Sequence, residues 1–393
     1  MGKVQRLFRL DALLTATQQW WRPQPYKEAR PAWCEERPLL TTRLLALPES
    51  ELRHYYNNAS ALFTLLAPYL PELEEIPALS CLERGVSLSH AEVNPHVEWG
   101  VPGRKGEQIA AFVAAVEEYN APLLEWCGGK GHLGRRLAAE RQQAVVTLEW
   151  NAQLCEAGRQ LAARTRMEQH FSPVDVLHAE VDHYLAGHHV VALHACGELH
   201  RHLVRRAVAL HVPALDVAPC CYYHGAPEAY QPFNQQLQLM LSRDDLRLTV
   251  TETVTAAPRE VALRDREMAW KLGFIQLWGE VSGEVSYRTM RPIPKGWLAG
   301  DCGQFCRLLA QREGVRLPGE VAWQEYEAYG WQRQRETMRL SLVRQAFRRA
   351  LELWLVLDMA TFLEQSSYEV ALTTFCPRHV TPRNILLSAR RSL

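Results

Sequence analysis

The stretch "LLEWCGGKGHLGRRLAAE" (residues 123–140) constrains the fold more than any other. An apolar run enters three closely spaced glycines, Gly128, Gly129 and Gly131, and then a pattern with helical spacing. Glycine-rich turns between strand and helix cradle nucleotides, because bare backbone and the helix N-terminus together meet a polar ligand. Downstream, short apolar runs alternate with helical segments: "PLLEW" (122–126), "AVVTLEW" (144–150), "VDVLHAE" (174–180), "HVVALHA" (189–195) and "ALDVAPCC" (214–221). Each gap has room for a crossover helix, so the succession predicts an α/β fold: a Rossmann-like parallel sheet covered by helices on both faces. The late runs "YEVALTTFCP" and "RNILLSARRS", separated by a turn containing proline, predict an antiparallel hairpin that completes that sheet.

Four regions follow from the pattern: a helical N-terminal region over 1–105, a core over 106–225, a mostly helical insertion over 226–365, and the terminal hairpin over 366–393. The stretch "NPHVEWGVPGRKGEQ" (94–108) reads as a linker or ordered loop. Lys+Arg and Asp+Glu are equal at 44 each, so no global charge advertises nucleic acid. The 10 cysteines lack the spacing of a disulfide framework, which suggests reduced thiols and a cytoplasmic location. Asp11 interrupts the apolar stretch that a signal peptide would need, and Asp358 interrupts the longest apolar run, so no membrane span is expected.

Three nucleotide readings compete for the glycine turn. A phosphate-binding loop needs Ser or Thr after Gly-Lys; here Lys130 is followed by Gly131 and His132, and that reading fails. A dinucleotide fingerprint fits if Gly129, Gly131 and Gly134 are chosen, with Glu149 on a ribose. The third reading is S-adenosylmethionine. Glu125, Cys127, Gly128, Gly129 and Gly131 would form its loop, Glu149 would accept the ribose hydroxyls, and Glu180, placed at the end of a third strand, would face the adenine amino group. A packed turn with surface acids is the structural alternative.

With those residues in view, "EWCGGKGHLG", "LHACGEL" (193–199), "APCCYYH" (218–224) and "TPRN" (381–384) resemble the class I methyltransferases related to methyltransferase-like protein 25, a group that includes proteins named for a ribosomal RNA adenine dimethylase domain. Similar blocks occur in the glutathione S-transferase C-terminal-domain-containing proteins. The resemblance implies a Rossmann-like methyltransferase sheet, S-adenosylmethionine as cofactor, and an RNA acceptor, rRNA or tRNA. A protein or small-molecule acceptor and a non-catalytic binding module are the alternatives. Cys127 stands where the family more often has glycine.

His194 and Cys196 end one expected strand, and Pro219, Cys220, Cys221 and His224 end the next, so all six are candidate catalytic residues. A cysteine thiolate attacking a pyrimidine ring would need a depressed pKa. Zinc held by Cys196, Cys220, Cys221 and His224, with Cys302 and Cys306, is argued against by the absence of paired C-x-x-C spacing, and no metal is expected. The plainest reading has these side chains shape an acceptor pocket. Finally, "WQRQRETMRLSLVRQAFRRALELW" (331–354) reads as one helix with Arg333, Arg335, Arg339, Arg344, Arg348 and Arg349, a phosphate-contacting surface for RNA across 331–349 or else arginines lying along the core edge. Trp126, Trp150 and Trp354 sit beside apolar runs and are expected in the core.

Overall fold

The computed structural model describes residues 1–28, 30–85, 95–251, 257–283 and 290–392. Seven strands, β1 (Leu123–Trp126), β2 (Val145–Glu149), β3 (Gln169–Pro173), β4 (His189–Cys196), β5 (Ala214–Cys220), β6 (Tyr368–Thr374) and β7 (Ile385–Arg391), form one sheet in the order β3-β2-β1-β4-β5-β7-β6. The first five are parallel to their neighbours, and β7 runs antiparallel to both β5 and β6. This is the expected Rossmann-like α/β sheet, closed by the expected hairpin. One strand is displaced. The run 174–180 is not a strand; β3 lies earlier, over Gln169–Pro173. Its inward positions are Gln169 and Phe171, and a glutamine at a core position hides a strand from a hydrophobic pattern.

The described chain forms two compact units that interleave along the sequence: residues 1–16, 75–255 and 348–393 make the sheet unit, and residues 17–74 and 256–347 make a helical one. The region 1–105 therefore contributes to both, as does 226–365. In the sheet unit, helices Gly103–Ala115 and His132–Arg141 bring Ile109, Phe112, Val113, Leu133 and Leu137 against Leu123, Val145, Val191 and Leu386. The first of these helices begins inside the stretch expected to be a loop; Asn94 lies outside the described residues.

The two acids that broke the apolar runs are buried hubs. Asp358, in helix Arg348–Gln365, accepts hydrogen bonds from the Tyr230 hydroxyl (3.0 Å), the Phe233 and Asn234 amides (2.9 and 3.0 Å) and the Asn234 side chain (2.7 Å). Asp11, in helix Lys3–Ala16, accepts from the Gln238 and Leu239 amides (2.8 and 3.1 Å) and from the Trp354 indole (3.0 Å). Together they pin the irregular chain that follows β5, whose backbone donors would otherwise be buried without partners.

In the helical unit, helices Pro258–Ser282 and Trp323–Ala346 approach backbone to backbone. A Cβ on Gly273 would stand 2.4 Å from the Tyr326 carbonyl oxygen, and one on Gly330 would stand 2.1 Å from that of Ala269. Trp270, Phe274, Phe305 and Leu309 fill the adjoining core.

Asp358→Ala strands several buried donors at once and is expected to cost the sheet unit about 3–5 kcal/mol. The measurement is hydrogen exchange of amides 348–365, where undiminished protection would contradict the assigned role.

Candidate functional site

In this strand order the chain leaves β1 toward β2 on one side, while β4 and β5 lie on the other. A crevice opens at the carboxyl ends of strands where their order reverses in this way. A cavity of about 570 Å³ lies there, lined by residues that follow all five parallel strands: Cys127 after β1, Glu149 and Trp150 at β2, Val174 to Leu177 after β3, His194, Cys196, Glu198 and Leu199 at β4, and His224 and Gly225 after β5.

The glycine turn begins at Cys127, its one residue that lines the cavity. Gly131, at φ +66°, opens helix His132–Arg141, and its amide donates to the Gly128 carbonyl (2.9 Å). Glycine is required beneath the turn, where a Cβ on Gly128 would lie 2.5 Å from the Glu125 carboxyl carbon and one on Gly134 would lie 2.6 Å from Glu125 Oε2. Gly129 differs. A Cβ there, at φ +61°, would meet nothing within 4 Å. Cys127 also takes a left-handed backbone, φ +55°, which costs a non-glycine residue about 1 kcal/mol. Burial and the nearby Glu149 carboxylate push the Cys127 thiol up.

Glu125 was expected to touch the ligand, but it does not line the cavity. It is buried below the turn, where Oε2 accepts from Thr147 Oγ1 (2.8 Å) and Gln169 Nε2 (3.3 Å); Gln169 also donates to Thr147 Oγ1 (2.8 Å) and to the Gly131 carbonyl (3.0 Å). Burial raises the Glu125 pKa to about 7. Glu149 does line the cavity, and its carboxylate ties the cleft together: Oε2 accepts from the Gly129 amide (3.0 Å) and Oε1 from the Asn151 amide (3.0 Å). Each oxygen keeps a second acceptor site.

Glu180 is exposed on a 3₁₀ turn, Ala179–Val181, well past β3, and does not reach the cleft. Asp175 lines it instead. That exchange follows from the misplaced third strand, since Asp175 stands two residues beyond the true strand end. Trp150, expected in the core, is 74% exposed at the lip of the cleft, whereas Trp126 and Trp354 are buried. Glu198 was also missed; it opens helix Glu198–Ala209 and pairs with Arg201 (2.8 Å).

At β4 and β5 the expected residues converge. Between the partnered pairs Leu193↔Ala218 and Cys196↔Cys220, β4 has two residues, His194 and Ala195, where β5 has only Pro219. This is a bulge. Pro219 is buried in the strand and does not line this cleft; having no N–H, it leaves no donor stranded opposite the bulge. The bulge puts His194 at φ +63°, with Nε2 3.0 Å from Gln108 Oε1, and burial lowers its pKa to about 4, so the imidazole is neutral at pH 7. Gly197 must be glycine: a Cβ there would stand 1.9 Å from the His224 carbonyl oxygen. His224 is exposed at the rim, and its carbonyl accepts from the Glu198 amide (3.0 Å). The Cys196, Cys220 and Cys221 sulfurs lie within 4.8 Å of one another. Hydrogen bonds from Cys196 and Cys220 draw the Cys221 thiol well below the usual range, with Arg383 and His194 helping. Cys302 and Cys306 belong to the helical unit, where their sulfurs pack against each other at 3.9 Å.

Residues 104–226 are similar to a methyltransferase domain. The matching family is described as "Methyltransferase domain" and spans about a third of the chain, from the helix before β1 to the turn after β5. Among solved structures, an O-methyltransferase family protein from Burkholderia thailandensis aligns at 12% identity with a TM-score of 0.30, over 85% of this chain and 71% of that one. No curated protein matches the chain.

The run 331–354 is not one helix. It divides at Phe347 into Trp323–Ala346 and Arg348–Gln365, which belong to different units. Several arginine heads are engaged within the chain: Arg333 with Glu336 and the Glu28 carbonyl, Arg339 with the Leu47 carbonyl, and Arg349 with Glu352 and Asn384. Among the described residues no helix is long and apolar enough to cross a membrane.

Glu125 tests the account of the turn. Its folded-state pKa of about 7 exceeds the ordinary 4.5, so the native state takes up its proton first and the carboxylate destabilises the fold as pH rises through that window. Glu125→Gln is expected to match wild type near pH 4.5 and to gain on it by up to about 3 kcal/mol above pH 7. Thermal melts across that range check it, and a pH-independent difference would refute it.

Proposed function

We propose that the cleft binds S-adenosylmethionine and that the protein transfers its methyl group to an acceptor held beside β4 and β5. The carrying observation is electrostatic. Glu149, Asp175 and Glu198 line the cavity, Glu198 with its charge shared by Arg201 and Arg205, and among the described residues no lysine or arginine lines it. A carboxylate-lined cleft attracts a sulfonium cation and repels the pyrophosphate of a dinucleotide, which favours this reading over the dinucleotide one.

The residues present fit the cofactor. Glu149 has acceptor capacity left for two ribose hydroxyls, open space above Gly129 admits the methionine portion, and Trp150, Val176 and Leu177 offer an apolar lip for adenine with Asp175 near its amino group. When bound, the cofactor supplies an activated methyl on a good leaving group. The chain's own task is then alignment of the acceptor. His194 lines the cleft beside β4 and is placed to take a proton from an acceptor hydroxyl or amine, although burial, which holds its pKa near 4, makes it a weak base. For the acceptor we carry RNA, on the resemblance of the "LHACGEL" and "APCCYYH" blocks. We assign the protein to the cytoplasm on its ten unpaired cysteines.

Calorimetry with S-adenosylmethionine and its demethylated product tests the cofactor. Binding in the micromolar range, abolished in Gly129→Val and weakened about tenfold or more in Glu149→Ala, is expected; a dinucleotide binding instead, or no binding, would sink the proposal and leave a non-catalytic module. Tritiated cofactor incubated with lysate from a knockout strain then tests the acceptor. Label that resists protease and is lost to ribonuclease is expected, and label lost to protease would assign a protein substrate.

A further inference from the structure

Three cysteines at the ends of two adjacent strands need an account that methyl transfer does not provide. In an extended strand, successive side chains point to opposite faces, so Cys220 and Cys221 should diverge. They do not. Cys221 adopts φ +44°, a left-handed conformation unusual for a side chain of its kind, and its sulfur comes round to the side of Cys220. From the neighbouring strand, the bulge before Cys196 aims a third sulfur at the same point, and Cys196 Sγ lies 3.5 Å from Cys220 Sγ. The two turns are then stitched together by the Gly197 amide on the Cys220 carbonyl (3.0 Å) and the Glu198 amide on the His224 carbonyl (3.0 Å). Left-handed backbone at a non-glycine residue costs about 1 kcal/mol and persists where surrounding structure enforces it.

The spacing of the sulfurs matches a coordination polyhedron. With zinc–sulfur bonds of about 2.3 Å, the edges of a tetrahedral thiolate site are about 3.8 Å, and the three sulfurs all fall within 4.8 Å of one another. No disulfide joins them. Sulfur ligands select a soft or borderline metal over magnesium or calcium.

We propose that Cys196, Cys220 and Cys221 bind one zinc ion as three thiolates, with its fourth coordination position open toward the cleft that Cys196 lines. Three protein ligands and an open position are the pattern of zinc sites that take water or a substrate atom. The sequence spacing conceals this site because the ligands come from two strands with a helix between them, rather than from paired C-x-x-C turns. The site does not depend on the cofactor reading, and it excludes a free thiolate nucleophile at these positions.

The test uses the full chain purified under reducing conditions. Elemental analysis is expected to find about one zinc ion per chain, and cobalt titrated into the demetallated wild-type chain is expected to give the thiolate-to-cobalt charge-transfer band and the visible bands of tetrahedral coordination. Cys196→Ser, Cys220→Ser and Cys221→Ser should each weaken zinc at least tenfold, to an order of magnitude, while Cys127→Ser, which also faces the cleft, and Cys302→Ser leave it unchanged. Absence of the charge-transfer band in the wild-type chain would overturn the proposal without reliance on any variant. So would zinc retained in all three single variants, or lost equally in the two controls.

Discussion

The site rests on a buried polar ladder that runs across three strands beneath the glycine turn. Glu125 on β1, Thr147 on β2 and Gln169 on β3 hydrogen-bond in sequence, and Gln169 reaches up to the Gly131 carbonyl. These groups sit where apolar side chains would ordinarily pack, and the hydrogen bonds they exchange offset much of the cost of burying them, with Gln169 Oε1 left without a partner among the described residues. They fix how far the turn lies above the sheet. Gly128 and Gly134 must then lack side chains, because the Glu125 carboxyl occupies the space where each Cβ would go. The glycines divide accordingly into those that admit the support from below and Gly129, which leaves the space above open.

Glu149 connects that support to the cleft. It ends β2, accepts the Gly129 amide and so ties the turn to the next strand. This acid both organises the loop and lines the cavity, beside Asp175 and the arginine-paired Glu198.

Much of the fold was legible because strands buried on both faces read as continuous apolar runs: Leu123–Trp126, His189–Cys196 and Ala214–Cys220 lie where those runs place them. The third strand was not, since Gln169 fills a core position by hydrogen bonding, a fact that resides in its neighbours and not in its own polarity. The error propagated to Glu180 and concealed Asp175. Trp150 was misplaced for a related reason: the apolar run of β2 ends at Glu149, and the residue beyond it turns outward. The break at Phe347 was equally hidden, because helical spacing continues on both sides of it. The clustering of Cys196 with Cys220 and Cys221 depends on a bulge and a left-handed residue, features of backbone geometry that no periodicity reveals.

The sheet's connectivity has a bearing on how the chain is made. β7 is the last of the seven strands to be synthesised, yet it is an interior one, wedged between β5 and β6 with ladders on both sides. Until it emerges from the ribosome, one flank of β5 stands open as a hydrogen-bonding template, the kind of surface that recruits stray strands. The nascent protein thus carries an unsealed seam from the completion of β5 until β7 is made, and a chaperone that shields such seams would have its work concentrated there.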